Sequence, residues 1–432
     1  MEVKVEILSR TFVKPSSPNH PKHYKLCLLD QFVPESHGGI VFYYSAPVTT
    51  SDDKHHSTLK KSLSETLTHF YPLAGRIKDT STVDCNDEGA CFVEAKAINC
   101  QLSDLLNQPS LEKVAKLVPT VDSKTMEMAS KCLLIVQLTT FECKGVAISF
   151  CLEHRFCDLS SVVTFLKSWS SRARGCDEEE ALVPDLVRAS SFLPPKDYLP
   201  PLWPVHNSME GRTTRRLFFD SSKIAVLKEK AAVNIKSQFY PSRVEVVLSL
   251  ILKSAIAATR ASRSSSSITP SMFFQSVNLR KRTEPPLPEN SMGNLFWMLP
   301  VFIQEKDIKF HELVAKMRRE RMEFCNEKVK KIKGDEEGTL MIFDSIKERG
   351  EIIKNMSDLD FYLVSSWCNF SLYEMDFGWG KPIWISNGVF MSRNLIILGD
   401  TKCGTGIEAW VALDPQVMAL FELDEELLAF AS

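Results

Sequence analysis

The chain has 432 residues, 44% hydrophobic and 25% charged, and 52 Lys and Arg against 54 Asp and Glu give a formal net charge of -2. This near-neutral, ordinary globular composition lacks the basic footprint that a nucleic-acid or anionic-membrane partner would require. Domains run to about 100–200 residues, so two are the natural division at this length. The N-terminus, MEVKVEILSRTF, alternates charge with Val3, Val5 and Ile7, a strand pattern without the apolar stretch of a secretory signal. No segment approaches the ~18 consecutive apolar residues of a membrane span. Leu59, Leu63 and Leu67 form a helical stripe from His56 to His69, which Pro72 in FYPLAGR ends. Two β-prone runs around Asn86–Gly89 predict a hairpin, and two more surround Glu142–Gly145, the second running through GVAISFCLEH to His154. After Asp158 the period of Val162, Val163, Phe165, Leu166 and Trp169 predicts a helix whose first turn the Asp158 carboxylate caps.

Periodicity then lapses from Gly175 to about Arg212. A charge run at Asp177–Glu180 and Pro184, Pro194, Pro195, Pro200, Pro201 and Pro204 mark this stretch as an interdomain crossover. Beyond it, TTRRLFFD reads as a strand, and Ser242 with Glu245 forms a capping box that opens a long buried helix. The serine run at 262–267 reads as a loop. SMFFQSVNLR and NLFWMLPVFI read as strands, Phe310 to Lys333 as one charged helix, and the C-terminal third, from FYLVSSW to AWVAL, as strands and loops.

The stretch CLEHRFCD, Cys151 to Asp158, concentrates the chemistry. Its four candidate metal ligands are Cys151, His154, Cys157 and Asp158, but strand alternation puts His154 and Cys151 on opposite faces, and no second Cys/His pair with zinc spacing accompanies them. Twelve cysteines scattered without paired spacing, many in apolar runs, read as reduced thiols of a cytoplasmic protein. On local sequence alone His154 reads first as a hydrogen-bonded core histidine ending a strand, and a base is the second reading. Of nine histidines, only this one ends an apolar strand and precedes an acid at the mouth of a helix.

His154-Arg-Phe-Cys-Asp158 fits HxxxD and Asp376-Phe-Gly-Trp-Gly380 fits DFGWG; with FYPLAGR, VNLRKR at Val277–Arg282 and EAWV at Glu408–Val411, the chain resembles the plant BAHD acyl-CoA-dependent acyltransferases throughout. Val83–Gly89 and the surroundings of FYPLAGR are most similar to the alkaloid O-acetyltransferase members. Two departures are Leu159, where most members have glycine, and Arg155, a bulky cation beside His154.

The resemblance implies a two-domain α/β enzyme with chloramphenicol acetyltransferase-like halves, mixed sheets and an interface tunnel. The halves would be residues 1–190, carrying HxxxD, and 214–432, carrying DFGWG, joined by a crossover at 191–213. It implies direct transfer of an acyl group, foremost acetyl from acetyl-CoA, to an alkaloid or similar small-molecule hydroxyl by a cytoplasmic monomer with no bound cofactor and no metal. His154 would be the general base, since an ordinary imidazole with pKa near ~6.5 is largely neutral at pH 7. Ser365 and Trp367 would donate to the oxyanion. Asp158 paired with Arg280, and Asp376, Gly378, Trp379 and Gly380, would be structural. Lys253 and Ser254 would contact coenzyme A. Malonyl, benzoyl or hydroxycinnamoyl donors, and a non-catalytic binding relative, are the alternatives.

Overall fold

The computed structural model describes residues 3–17, 21–46, 52–176, 181–200, 212–234, 240–263, 269–354, 359–388 and 394–432. Asp177–Glu180, Pro201, Pro204 and most of the serine run fall outside them. Within the described residues there are strands β1 (Lys4–Val13), β2 (His23–Lys25), β3 (His37–Tyr44), β4 (Arg76–Ile77), β5 (Thr82–Asp84), β6 (Ala90–Ile98), β7 (Leu134–Thr140) and β8 (Val146–Glu153). There follow β9 (Thr213–Phe219), β10 (Ser271–Asn278), β11 (Phe296–Ile303), β12 (Asp360–Ser366), β13 (Trp384–Asn387), β14 (Leu395–Asp400) and β15 (Ile407–Leu413).

These make two six-stranded mixed sheets, ordered β1-β6-β7-β8-β3-β13 and β11-β10-β12-β14-β15-β9, and a small sheet β2-β5-β4. The chain divides into two compact units, but not at one point. Unit 1 comprises Met1–Tyr198, Leu287–Leu295 and Phe370–Val389; the rest, Leu199–Pro286, Phe296–Asn369 and Phe390–Ser432, is unit 2. DFGWG therefore lies in the unit that carries HxxxD, not with the C-terminal half. The cause is strand pairing: β13 adds antiparallel to β3, Trp384 to Asn387 opposite Tyr43 to Ile40.

In unit 1 the sequence pattern and the elements agree closely around the candidate base. β7 and β8 pair antiparallel, Leu134 opposite Leu152 and Thr140 opposite Val146, with every β8 residue buried. A strand covered on both faces must be apolar on both, which is why GVAISFCLE shows no alternation. The Leu59–Leu67 stripe lies on the helix Asp52–His69 and is fully buried.

The segment around Asn86–Gly89 is not a hairpin. β5 pairs with β2 and β4, whereas β6 pairs with β1 and β7. Gly89, at φ +98, turns the chain between sheets while its N–H donates to Ala74 O. Gly75 in FYPLAGR is needed for close approach, because a Cβ there would stand 2.4 Å from Asp84 O.

In unit 2, Ser242 Oγ accepts from Glu245 N and the Glu245 carboxylate accepts from Ser242 N, the reciprocal cap that opens the helix Arg243–Ala261. The charged helix is shorter than its pattern, ending at Glu323 in a wide turn, Phe324–Lys328. There Phe324 is buried and stacks on Trp297 at 5.9 Å, an anchor that the charge pattern does not reveal.

Candidate functional site

His154 follows the last residue of β8, and its backbone N–H donates to Ser36 O at 2.7 Å, so the ring starts from a position fixed by the sheet. Its Nδ1 lies 3.1 Å from Asn294 Oδ1. The orientation of that amide follows from its other contacts: Asn294 Nδ2 donates to His154 O at 2.7 Å and to Asp30 Oδ1 at 2.9 Å, both pure acceptors. The oxygen must then face the ring, where it can only accept, so Nδ1 carries the hydrogen and the lone pair sits on Nε2. This is the basic tautomer that a proton acceptor needs, with an amide in place of a carboxylate behind the ring.

Asp158 caps the helix Leu159–Ala173: Oδ1 accepts from Ser161 N at 2.9 Å. Its other oxygen, Oδ2, accepts from Leu295 N at 3.1 Å. Ser161 Oγ accepts from Gly293 N and donates to Gly293 O, both at 3.1 Å. The two ends of HxxxD thus grip one short segment, Gly293–Leu295, His154 through its middle residue and the helix start through its flanks. Nothing in the local sequence of Asn294 marks it, since its bond to His154 spans 140 residues.

Arg155 has a structural explanation. Its Nε and backbone N donate to Glu153 Oε1 at 3.0 and 3.3 Å, and Nη2 lies 3.4 Å from Glu35 Oε2. Glu153 is 3% exposed, so the arginine balances a buried carboxylate one residue before His154 and ties Glu35 to it.

The cysteines on either side are buried, and desolvation pushes the Cys151 thiol up to about 12, leaving no thiolate at neutral pH. Cys403 is the opposite case. It is exposed, and hydrogen bonds from the Thr401 and Thr405 hydroxyls bring it down to about 6. A maleimide at pH 7 should therefore label Cys403 first and reach Cys151 only on unfolding. Labelling of Cys403 should slow as pH falls through about 6 and the thiolate protonates; peptide mapping by mass spectrometry reads both.

DFGWG forms a tight loop in unit 1. Asp376 Oδ1 accepts from Gly378 N at 2.8 Å and Gly380 N at 3.0 Å, and both glycines have positive φ, +99 and +101. Phe377 is buried against Trp169 and Phe150, with centroids at 5.0 and 6.2 Å, and Arg174 Nη1 donates to Asp376 O at 2.8 Å. The loop is pinned to the helix that Asp158 begins.

The other candidates lie on unit 2. Ser365 and Trp367 fall on the same, less buried face of β12 and its continuation. Neither the Ser365 hydroxyl nor the Trp367 indole N–H has a protein partner among the described residues, so both donors remain available. Arg280 is 1% exposed, its backbone N–H donating to Asn278 Oδ1 at 3.0 Å. Lys253 is one-third exposed and paired with the Glu426 carboxylate, which Lys230 also contacts. Ser254 points elsewhere: adjacent helical residues diverge by about 100°, and its hydroxyl is buried without a partner among the described residues.

The Transferase family model matches residues 3–428. The chain belongs to this family, the BAHD acyltransferases. Akuammiline synthase 1 of Alstonia scholaris is 36% identical over 98% of this chain and 97% of its own. Limonoid 7-O-acetyltransferase of Citrus sinensis is 38% identical over 99% and 98%. The crystal structure of vinorine synthase superposes with a TM-score of 0.83 at 33% identity, covering 99% of both chains. The two-domain mixed α/β architecture is thus the family's, and the protein is an acyl-CoA-dependent O-acyltransferase. Among the described residues no helix is long and apolar enough to cross a membrane.

Proposed function

We propose that this BAHD enzyme transfers an acetyl group from acetyl-CoA to a hydroxyl of an alkaloid or similar specialised metabolite, with His154 as general base. The observation that carries the reading is the Asn294 contact, which places the lone pair on Nε2. In the proposed step Nε2 takes the hydroxyl proton as the oxygen attacks the thioester carbon. The tetrahedral intermediate then collapses, the carbon–sulfur bond breaks, and the imidazolium returns the proton to the leaving thiolate. No acyl-enzyme is invoked, in keeping with the high pKa of Cys151.

Ser365 Oγ and Trp367 Nε1 are proposed as oxyanion donors, because neither has a protein partner among the described residues and both lie on one face of β12 and its continuation. Trp367→Phe, which keeps the ring and removes the N–H, should lower kcat by about 10²-fold with little change in KM. An unchanged kcat would remove Trp367 from this role. Lys253 is proposed as a phosphate contact for coenzyme A, with Glu426 holding it in place. Eight of twelve cysteines are buried and all twelve are free thiols, which supports a reducing cytoplasmic compartment.

The acetyl preference rests on relatives such as the limonoid 7-O-acetyltransferase. Incubation with labelled acetyl-, malonyl- and benzoyl-CoA and a panel of alkaloid and limonoid alcohols tests it. An acetyl ester is expected. A malonyl or benzoyl ester instead would reassign the donor, and no ester from any donor would favour a non-catalytic binding relative.

A further inference from the structure

The Asn294 amide that fixes His154 is itself held from behind by a buried carboxylate. Asp30 is fully buried. Its Oδ1 accepts from Asn294 N at 2.6 Å and from Asn294 Nδ2 at 2.9 Å, and its Oδ2 accepts from Cys27 N at 2.7 Å. An ionised carboxylate accepts and never donates, so it forces both Asn294 donors toward itself and the amide oxygen toward the imidazole. Gly293, next to Asn294, adopts φ +127, a backbone conformation that favours glycine, so the turn that presents Asn294 to Asp30 is set by this residue.

We propose that Asp30 is a positioning residue for acyl transfer, acting through Asn294 to hold His154 in its Nε2-basic tautomer. The inference rests on His154 being the base. Asp30 touches neither the ring nor the reacting atoms in this arrangement; its effect passes through one amide. The relay also has a pH limit. Burial raises the Asp30 carboxyl to about 6, and the titratable groups facing it, Tyr24 and Cys27, are pushed well above their ordinary values by burial and stay neutral in that range. When Asp30 takes up a proton, one of its acceptors becomes a donor and its hold on the Asn294 amide loosens. Protonation of Asp30 should therefore steepen the acid limb of log kcat/KM against pH near 6.

The test uses the purified full-length chain, acetyl-CoA and whichever alcohol is turned over. Asp30→Asn should lower kcat by about 10–100-fold, the scale seen when a group that orients a metal-bound histidine is removed, leave KM for acetyl-CoA unchanged, and make the acid-limb slope shallower. Asn294→Ala should do the same, and the double variant should be no slower than Asn294→Ala alone, because both changes break one relay. Multiplying effects with an unchanged slope would mean that Asp30 is merely structural, and wild-type kcat in Asp30→Asn would overturn the inference. Should Asp30→Asn not fold, the slope in Asn294→Ala carries the test. Activity surviving in His154→Ala would instead defeat the base assignment, an outcome distinct from an inactive His154→Ala beside a fully active Asp30→Asn.

Discussion

His154→Ala should lower kcat by about 10²–10⁴-fold, the contribution expected of a positioned general base, while the protein stays folded. Two contacts that tie this residue to its neighbours are backbone ones: its N–H to Ser36 O, and its carbonyl oxygen to Asn294 Nδ2. Alanine keeps both. What disappears is the ring, and with it the nitrogen proposed to take the hydroxyl proton. KM for acetyl-CoA should change little, since a base acts as the transition state forms. Steady-state kinetics at fixed pH, with a thermal melt to verify folding, check the expectation. A variant within about threefold of wild type would show that the alcohol loses its proton elsewhere.

Asp158→Ala should cost both stability and activity. Losing the cap of the helix Leu159–Ala173 costs about 1 kcal/mol, and stranding the buried Leu295 N–H about 1–3 kcal/mol more. The melting temperature falls accordingly. Activity suffers because Leu295 adjoins Asn294: once Oδ2 no longer accepts from Leu295 N, the segment carrying the His154 clamp loses one of its anchors and keeps those to Ser161 and Asp30. Asp158→Ser separates the effects. Serine also caps helices well, but its hydroxyl reaches less far, so most stability should return while kcat stays depressed. Full recovery of kcat in Asp158→Ser would reduce the aspartate to a cap.

The motif spacing thereby acquires a physical reason. Position one must end a strand to aim an imidazole, and position five must begin a helix to hold the segment behind it. That much was legible in the sequence, because apolar runs, turn residues and a capping acid are local signals: β7, β8, the helix after Asp158 and the Ser242–Glu245 box all fall where their patterns place them. Asn294 and Asp30 were not legible. Their roles depend on contacts spanning 140 and 264 residues, and an asparagine in SMGNLFW has no periodicity to betray it. The same limit explains the misread hairpin. Two β-prone runs around a turn say that strands exist, not which partners they take, and β5 and β6 enter different sheets. Lys253 and Ser254, adjacent in sequence, face different surroundings on their helix, a separation that becomes visible only with burial in view.

Asp30 also carries a cost. Its folded pKa of about 6 lies above the ordinary 3.8, so between those values the folded state keeps a proton that the unfolded chain releases. Stability falls as pH rises through that window, by roughly 2–3 kcal/mol. A buried carboxylate kept at such expense fits a residue retained for what it orients.

The late return of β13 to β3 has a consequence for how the protein is made. A ribosome releases the chain from its N-terminus, so β3 and β8 emerge long before Trp384 to Asn387, and His154 emerges 140 residues ahead of Asn294. Until then the β3 edge has no strand to cover it, and Tyr43 lacks the Trp384 ring that stacks on it at 4.8 Å. Such an open edge invites pairing with other nascent chains. The first sheet is thus completed only once Trp384 to Asn387 have been made, and the histidine gains its clamp 140 residues after it appears.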